Sequence, residues 1–213
     1  RIASSASLWT ERLLSTSLEG LAYGFAITGN ATYRTAAQQI FETAHRHITT
    51  ASQAELNTIM QTIAGAAFPP QNCWIHSAAQ HAEGGDLEPW CSSWMSELIV
   101  DPLRAYQEVT GDARVDEVFI RLGRFMRDIG TTYVSGGTFR TTSRFTDPQT
   151  ACYTTPTSRK LVPSYGAGLN QGGVRQNFGG TSDEEHCADA SVLMSSAIRA
   201  LHRDIVRERF PGC

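Results

Sequence analysis

The stretch from residue 89 to 129, PWCSSWMSELIVDPLRAYQEVTGDARVDEVFIRLGRFMRDI, decides the fold of this 213-residue chain. Trp90, Trp94, Leu98, Pro102, Tyr106 and Val109 recur at helical spacing. They therefore share one face of a predicted helix, which Pro89 can open at its first position. Gly111 ends that helix, and Asp112 can cap the next through its carboxylate. Val115, Val118, Leu122, Phe125 and Ile129 then give the second helix an apolar stripe of its own. Two helices joined this tightly are expected to run antiparallel.

An upstream stretch repeats the pattern. Leu14, Leu18, Leu21 and Phe25 form one stripe, and Tyr33, Ala37, Ile40, Ala44 and Ile48 form the next. The joins correspond: Thr28-Gly29-Asn30-Ala31 matches Thr110-Gly111-Asp112-Ala113. In both, glycine supplies a left-handed helix end and Asn or Asp caps the second helix. A repeated helix-turn-helix unit implies stacked helical hairpins, an all-α fold in a single domain over residues 1–213. Between the hairpins, Ser52 and Glu55 have capping-box spacing ahead of Leu56, Ile59, Ile63 and Ala67, and Pro69-Pro70 ends that short helix.

Composition bounds the function. A net charge of -3 argues against a general nucleic-acid binder, because nothing in the total would neutralise a run of phosphates. No apolar run approaches the roughly 20 residues that span a bilayer, so no membrane partner is expected. The N-terminal RIASSASLWTER has no signal-peptide core, and a chain starting at Arg1 is expected to be processed or cut from a longer one. Cys73, Cys91, Cys152, Cys187 and Cys213 include no CxxC pair, which suits disulfides in a secreted or periplasmic protein better than a zinc knuckle. Ordinary buried thiols are the alternative.

Two loops carry the available chemistry. The first, Asn72 to Glu88, holds His76, His81, Glu83 and Asp86. Imidazole and carboxylate suit zinc or manganese, but the spacing matches no helical pair of the HExxH kind, so no metal or other cofactor is expected. Hydrogen bonding within the loop, or lining a cleft beside Trp74 and Trp90, is the better reading. The second, around residues 134–181, loses the helical period for Gly, Thr, Ser, Pro and Tyr, and is expected to be an ordered loop with short strands, with a hairpin at Gly136-Gly137. Arg140, Arg144, Arg159, Lys160 and Arg175 stand there against Asp147 alone. Guanidinium groups grip carboxylate or sulfate in bidentate fashion, so this basic loop could hold an anionic ligand, unless its arginines pair with acids on the helices.

The last helix opens at Ser182-Asp183-Glu184-Glu185, a capping box whose carboxylates also suit the positive end of the helix dipole. Cys187, Ser191, Met194, Ile198, Leu201 and Ile205 form its expected buried stripe. His186 stands where the basic loop returns to the helical body. A histidine at a helix start can be a structural hydrogen-bonder or a proton carrier.

These features resemble a known group. Repeated helical hairpins with TGN and TGD turns, the segment WMSELIVDPLRAYQEVTGD, and a long aromatic loop between helices look like the (α/α) toroid proteins. Within that group they are most similar to the six-hairpin glycosidase and polysaccharide lyase superfamily. The resemblance covers residues 8–133 and 182–207. It implies a partial or incomplete toroid, with an oligomer or the remainder of a larger chain supplying further helices.

For activity, the resemblance implies action on a polysaccharide, most directly a lyase cleaving a uronate-containing, anionic polymer by β-elimination. Toroid lyases use Asn, Arg, His and Tyr for this chemistry. Here Tyr165 and His186 would be base and acid, and Asn170 or Asn177 would polarise the carboxyl group that Arg175 neutralises. Trp74, Trp90 and Tyr153 would stack on sugar rings, with His76 and His81 lining the substrate. A glycoside hydrolase of the same group is the alternative. It would need two carboxylates about 5 to 9 Å apart, for which Asp183, Glu184, Glu83 and Asp86 are candidates. A third reading is a helical domain that binds glycan or protein without reaction. Convergence of the 72–88 and 134–181 loops favours an enzyme, and loops on opposite ends favour binding alone.

Overall fold

A computed structural model describes residues 11–49, 72–74, 90–134, 160–163, 166–169, 175–178 and 187–209. These residues are mostly helical. Helices α1 (Glu11–Thr28) and α2 (Ala31–Thr49) form the first pair. Strand β1 (Trp90–Ser92) precedes α3 (Val100–Thr110) and α4 (Arg114–Phe125). A π turn, Met126–Gly130, leads into β2 (Thr131–Val134). Three short strands come next, β3 (Lys160–Pro163), β4 (Gly166–Leu169) and β5 (Arg175–Phe178), before α5 (Cys187–Arg209). The capping boxes at Ser52 and Ser182 and the Gly136-Gly137 turn lie outside the described residues.

The two glycine turns match bond for bond. Gly29 and Gly111 have φ of 66° and 71°, the left-handed region that glycine reaches without steric cost. Their N–H groups donate to Phe25 O at 2.8 Å and Gln107 O at 2.7 Å. The Thr28 and Thr110 hydroxyls each donate to the carbonyl four residues back at 2.6 Å. Asn30 Oδ1 accepts from Thr32 N, and Asp112 Oδ1 from Arg114 N, both at 3.0 Å. Each side chain thereby satisfies one N–H that the helix start would otherwise leave bare.

The packing around the two turns differs. α1 and α2 lie closely together, whereas α3 lies chiefly on α1 and α4 chiefly on α5. α3 and α4, joined by the tight Gly111 turn, touch only lightly along their length. Part of the reason is length. The helix expected from Pro89 onward begins only at Val100, because residues 90–92 are a strand and residues 93–99 a series of tight turns. Serine hydroxyls compete for the backbone here. Ser92 Oγ accepts from Met95 N at 3.2 Å, and Ser96 Oγ donates to Ser92 O at 2.6 Å. Pro102, lacking an N–H, is tolerated in the first turn of α3 but could not extend the hydrogen-bond ladder further back.

The core is aliphatic and aromatic. Leu14, Leu18, Ala37, Phe41, Ala44 and Ile48 from the first pair meet Ile99, Leu103 and Tyr106, then Val115, Val118, Leu122 and Phe125. Phe41 stacks on Tyr106 with ring centroids 4.5 Å apart. The expected stripes of α1, α2 and α4 are thus largely the buried ones, although Tyr33 is exposed. That of α5 is not. Ala190, Leu193, Ser196, Ala197 and Ala200 face the core, while Ile198 is 65% and Leu201 46% exposed. Small residues explain the rotation: a Cβ added at Gly123 of α4 would stand 2.5 Å from Ala197 Cβ, so the helices approach too closely for larger side chains there. The side chains of Ile129, Cys187 and Ile205 lie outside the described set.

Strands form two antiparallel sheets, one ordered β1-β4-β5 and the other β2-β3. No helix among the described residues is long and apolar enough to cross a membrane.

Candidate functional site

Residues 72–74 and 90–93 form the junction where both polar loops meet the helical body. Cys73 is disulfide-bonded to Cys91 across 18 residues, with Cα atoms 6.1 Å apart. Beside it the indole N–H of Trp74 donates to Ala44 O at 3.0 Å, tying this segment to α2. Cys91 in turn pairs with Ala167 of β4, which pairs with Asn177 of β5. Trp90 stands in the neighbouring row with Gly168 and Gln176, and Arg175 pairs with Leu169. The strand that follows the first loop is thus zipped to a hairpin from the second.

The entry to that second loop is held at the same place. Ser93 Oγ donates to Gly130 O at 2.7 Å, and Thr131 Oγ1 donates to Met126 O at 2.8 Å. These hydroxyls satisfy carbonyls of the π turn that no continuing helix serves.

The expected site residues divide into three sets. Trp90, Arg175 and Asn177 are brought onto one three-stranded sheet. Trp74 is corrected: it is fully buried, with its ring in the core and its N–H bonded to backbone, so it offers no face to a sugar. An indole with a good internal acceptor packs as a core residue. His76, His81, Tyr153, Tyr165, Asn170 and His186 lie outside the described residues, as do Glu83, Asp86, Asp183 and Glu184. Among the described residues no group of three or more His, Cys, Asp or Glu side chains could hold a metal.

A charged cluster that the helical period did not reveal spans α2 and α4. His45 Nε2 lies 2.9 Å from Glu117 Oε2, and Arg121 donates to Glu117 Oε1 at 2.8 and 2.9 Å. One turn away Arg114 bridges Glu42 at 2.5 Å and Asp112 at 2.8 Å, and its guanidinium stands 5.3 Å over the Phe41 ring. Tyr106 donates to Asp112 Oδ2 at 3.0 Å. Burial pushes the Asp112 and Glu117 carboxyls up, but hydrogen bonds outweigh it. Arg114 and Tyr106 hold Asp112 below the usual carboxylate range, and His45 and Arg121 do the same for Glu117. Burial, and then the charge of Asp112, push the Tyr106 phenol well above its ordinary value. Both carboxylates are committed to neighbours and the Tyr106 phenol keeps its proton, so the cluster ties the helices together. The signal for it was present: Glu42 and His45 on one helix are matched in opposite order by Arg114 and Glu117 on another, both at i,i+3 spacing.

No protein-family model, no curated protein and no solved structure matches the chain.

Proposed function

We propose that the chain is a secreted or periplasmic carbohydrate-active enzyme, or part of one, whose hairpins belong to an (α/α) toroid and which cleaves a uronate-containing polysaccharide by β-elimination. The observation that supports this is the pairing of β1 with β4: Gly166–Gly168 of the second loop lie beside Trp90–Ser92, the strand next in sequence to the first loop. Trp90, Arg175 and Asn177 belong to that one sheet, with Trp90 in the row of Gly168 and Gln176, and Arg175 and Asn177 in the rows on either side, next in sequence to the segments that contain Tyr165, Asn170 and His186. In the reaction a base takes the proton beside the carboxylate, Arg175 and Asn177 tolerate the charge that develops there, and the bond to the leaving sugar oxygen breaks as the double bond forms. The Cys73–Cys91 disulfide is in keeping with export.

The test is ultraviolet absorbance of the unsaturated product across a panel of uronate polymers. Rising absorbance that His186→Ala and Tyr165→Phe abolish, with circular dichroism unchanged, is the expected result. A flat trace and no new reducing ends with any polymer would overturn the enzyme reading.

A further inference from the structure

Away from that junction, α3 and α5 bring two guanidinium groups to one hydroxyl. Arg104 Nη2 donates to Ser196 Oγ at 2.6 Å, and Arg199 Nη2 reaches the same oxygen at 3.5 Å. Ser196 is 2% exposed and donates onward to Val192 O at 2.8 Å. It is therefore a fixed anchor onto which two cations converge, Arg104 partly buried and Arg199 exposed. Like charges held this close repel, and such an arrangement asks for a counter-charge. The carboxylates nearby do not supply it fully. Asp101 contacts Arg104 at 3.3 Å, but its side chain is largely exposed and screened. Asp116, buried between the helices, is taken up by Arg203 through bonds of 2.6 and 3.1 Å and by Gln107. Among the described residues, Arg199 makes only the long bond to Ser196.

We propose that Arg104 and Arg199, poised around Ser196, form a binding site for an oxyanion, a carboxylate or sulfate group. The planar fork of Arg199 matches such groups in bidentate fashion, Arg104, whose Nη1 and Nη2 serve Asp101 and Ser196, adds its charge, and the exposed rim left by Val192 and Arg199 lets one enter from solvent. This site does not depend on the elimination reading: it lies on helices, apart from the sheet that carries Arg175 and Asn177. A free oxyanion and the acidic group of a glycan share this chemistry.

The experiment is a titration of the full chain, followed by amide resonances of α3 and α5, with inorganic sulfate at ionic strength held constant by chloride. Parallel titrations use a uronate oligosaccharide and a neutral one. Saturable shifts with sulfate are expected, weakened on the order of tenfold or more by Arg104→Ala or Arg199→Ala. Arg104→Lys and Arg199→Lys, which keep the charge and spare the fold, are expected to weaken binding in part. Tighter binding of the uronate oligosaccharide than of sulfate assigns the site to a glycan, and sulfate binding alone assigns it to a free oxyanion. No saturable response to sulfate or uronate, or equal binding by the folded double lysine variant, would overturn the site.

Discussion

The hydroxyl of Ser15 donates at 2.8 Å to the carbonyl of Leu98, 83 positions away. That carbonyl is the one a helical N–H at position 102 would serve, and position 102 is proline. Helix α1 thus supplies from outside the hydrogen bond that α3 cannot make for itself. Ser15→Ala is expected to cost about 1–2 kcal/mol by leaving a part-buried acceptor bare. In a Pro102→Ala background the same change should cost less, since residue 102 then has an N–H to offer. Denaturant unfolding of the four chains measures this, and equal costs in the two backgrounds would rule out the linkage.

Gly29 and Gly111 provide a matched pair. Neither has a heavy atom within 4 Å of an added Cβ, so an alanine meets only its own backbone at φ of 66° or 71°. Each substitution should destabilise by about 1 kcal/mol, and by the same amount within error. A clearly larger loss at one of them would mean that its turn depends on packing as well as on backbone conformation.

Gly123 is the opposite case. Alanine there would bring two β-carbons to 2.5 Å at the crossing of α4 and α5. We expect Gly123→Ala to cost about 1–3 kcal/mol through forced separation of the helices. Ala197→Gly in the same chain should return part of that loss, a coupling that a double-mutant cycle reads directly. Additive effects would show that the helices move apart without resistance.

Acid should loosen the joint between α2, α3 and α4. Asp112 and Glu117 have folded values below their ordinary 3.8 and 4.5. The unfolded chain therefore takes up protons first, and the stability these groups contribute is present above those ordinary values and lost as pH falls through the lowered ones. Unfolding free energy should decline below a pH of about 4.5. Asp112→Asn with Glu117→Gln should make that decline shallower. An unchanged slope in the double variant would place the acid sensitivity elsewhere.

Particular residues explain how far the sequence is legible. The turns can be read locally because glycine, threonine and Asn or Asp each have one local role, and the observed bonds are those roles. Strand β1 cannot, since Trp90 and Trp94 fit a helical stripe equally well and the partner that makes residues 90–92 extended lies at 166–168. In α5, Ile198 and Leu201 look like core by spacing, whereas the close approach at Gly123 favours Ala197 and Ala200 on the inner face. Trp74 could be a platform or a core residue by composition, and the Ala44 carbonyl decides. The catalytic candidates on the second loop depend on contacts distant in the chain, for which local spacing carries no signal.

Three consecutive residues, 91–93, hold two distant points of the chain together. Ser93 bonds Gly130 where the chain enters the long insertion, while Ser92 and Cys91 pair with Gly166 and Ala167 midway along it, and Cys91 is covalently fastened to Cys73. Between those two points the chain is fastened again, where Thr131–Val134 pairs with Lys160–Pro163. One short strand and the turn after it thus act as a common fastening for parts of the chain that are remote in sequence.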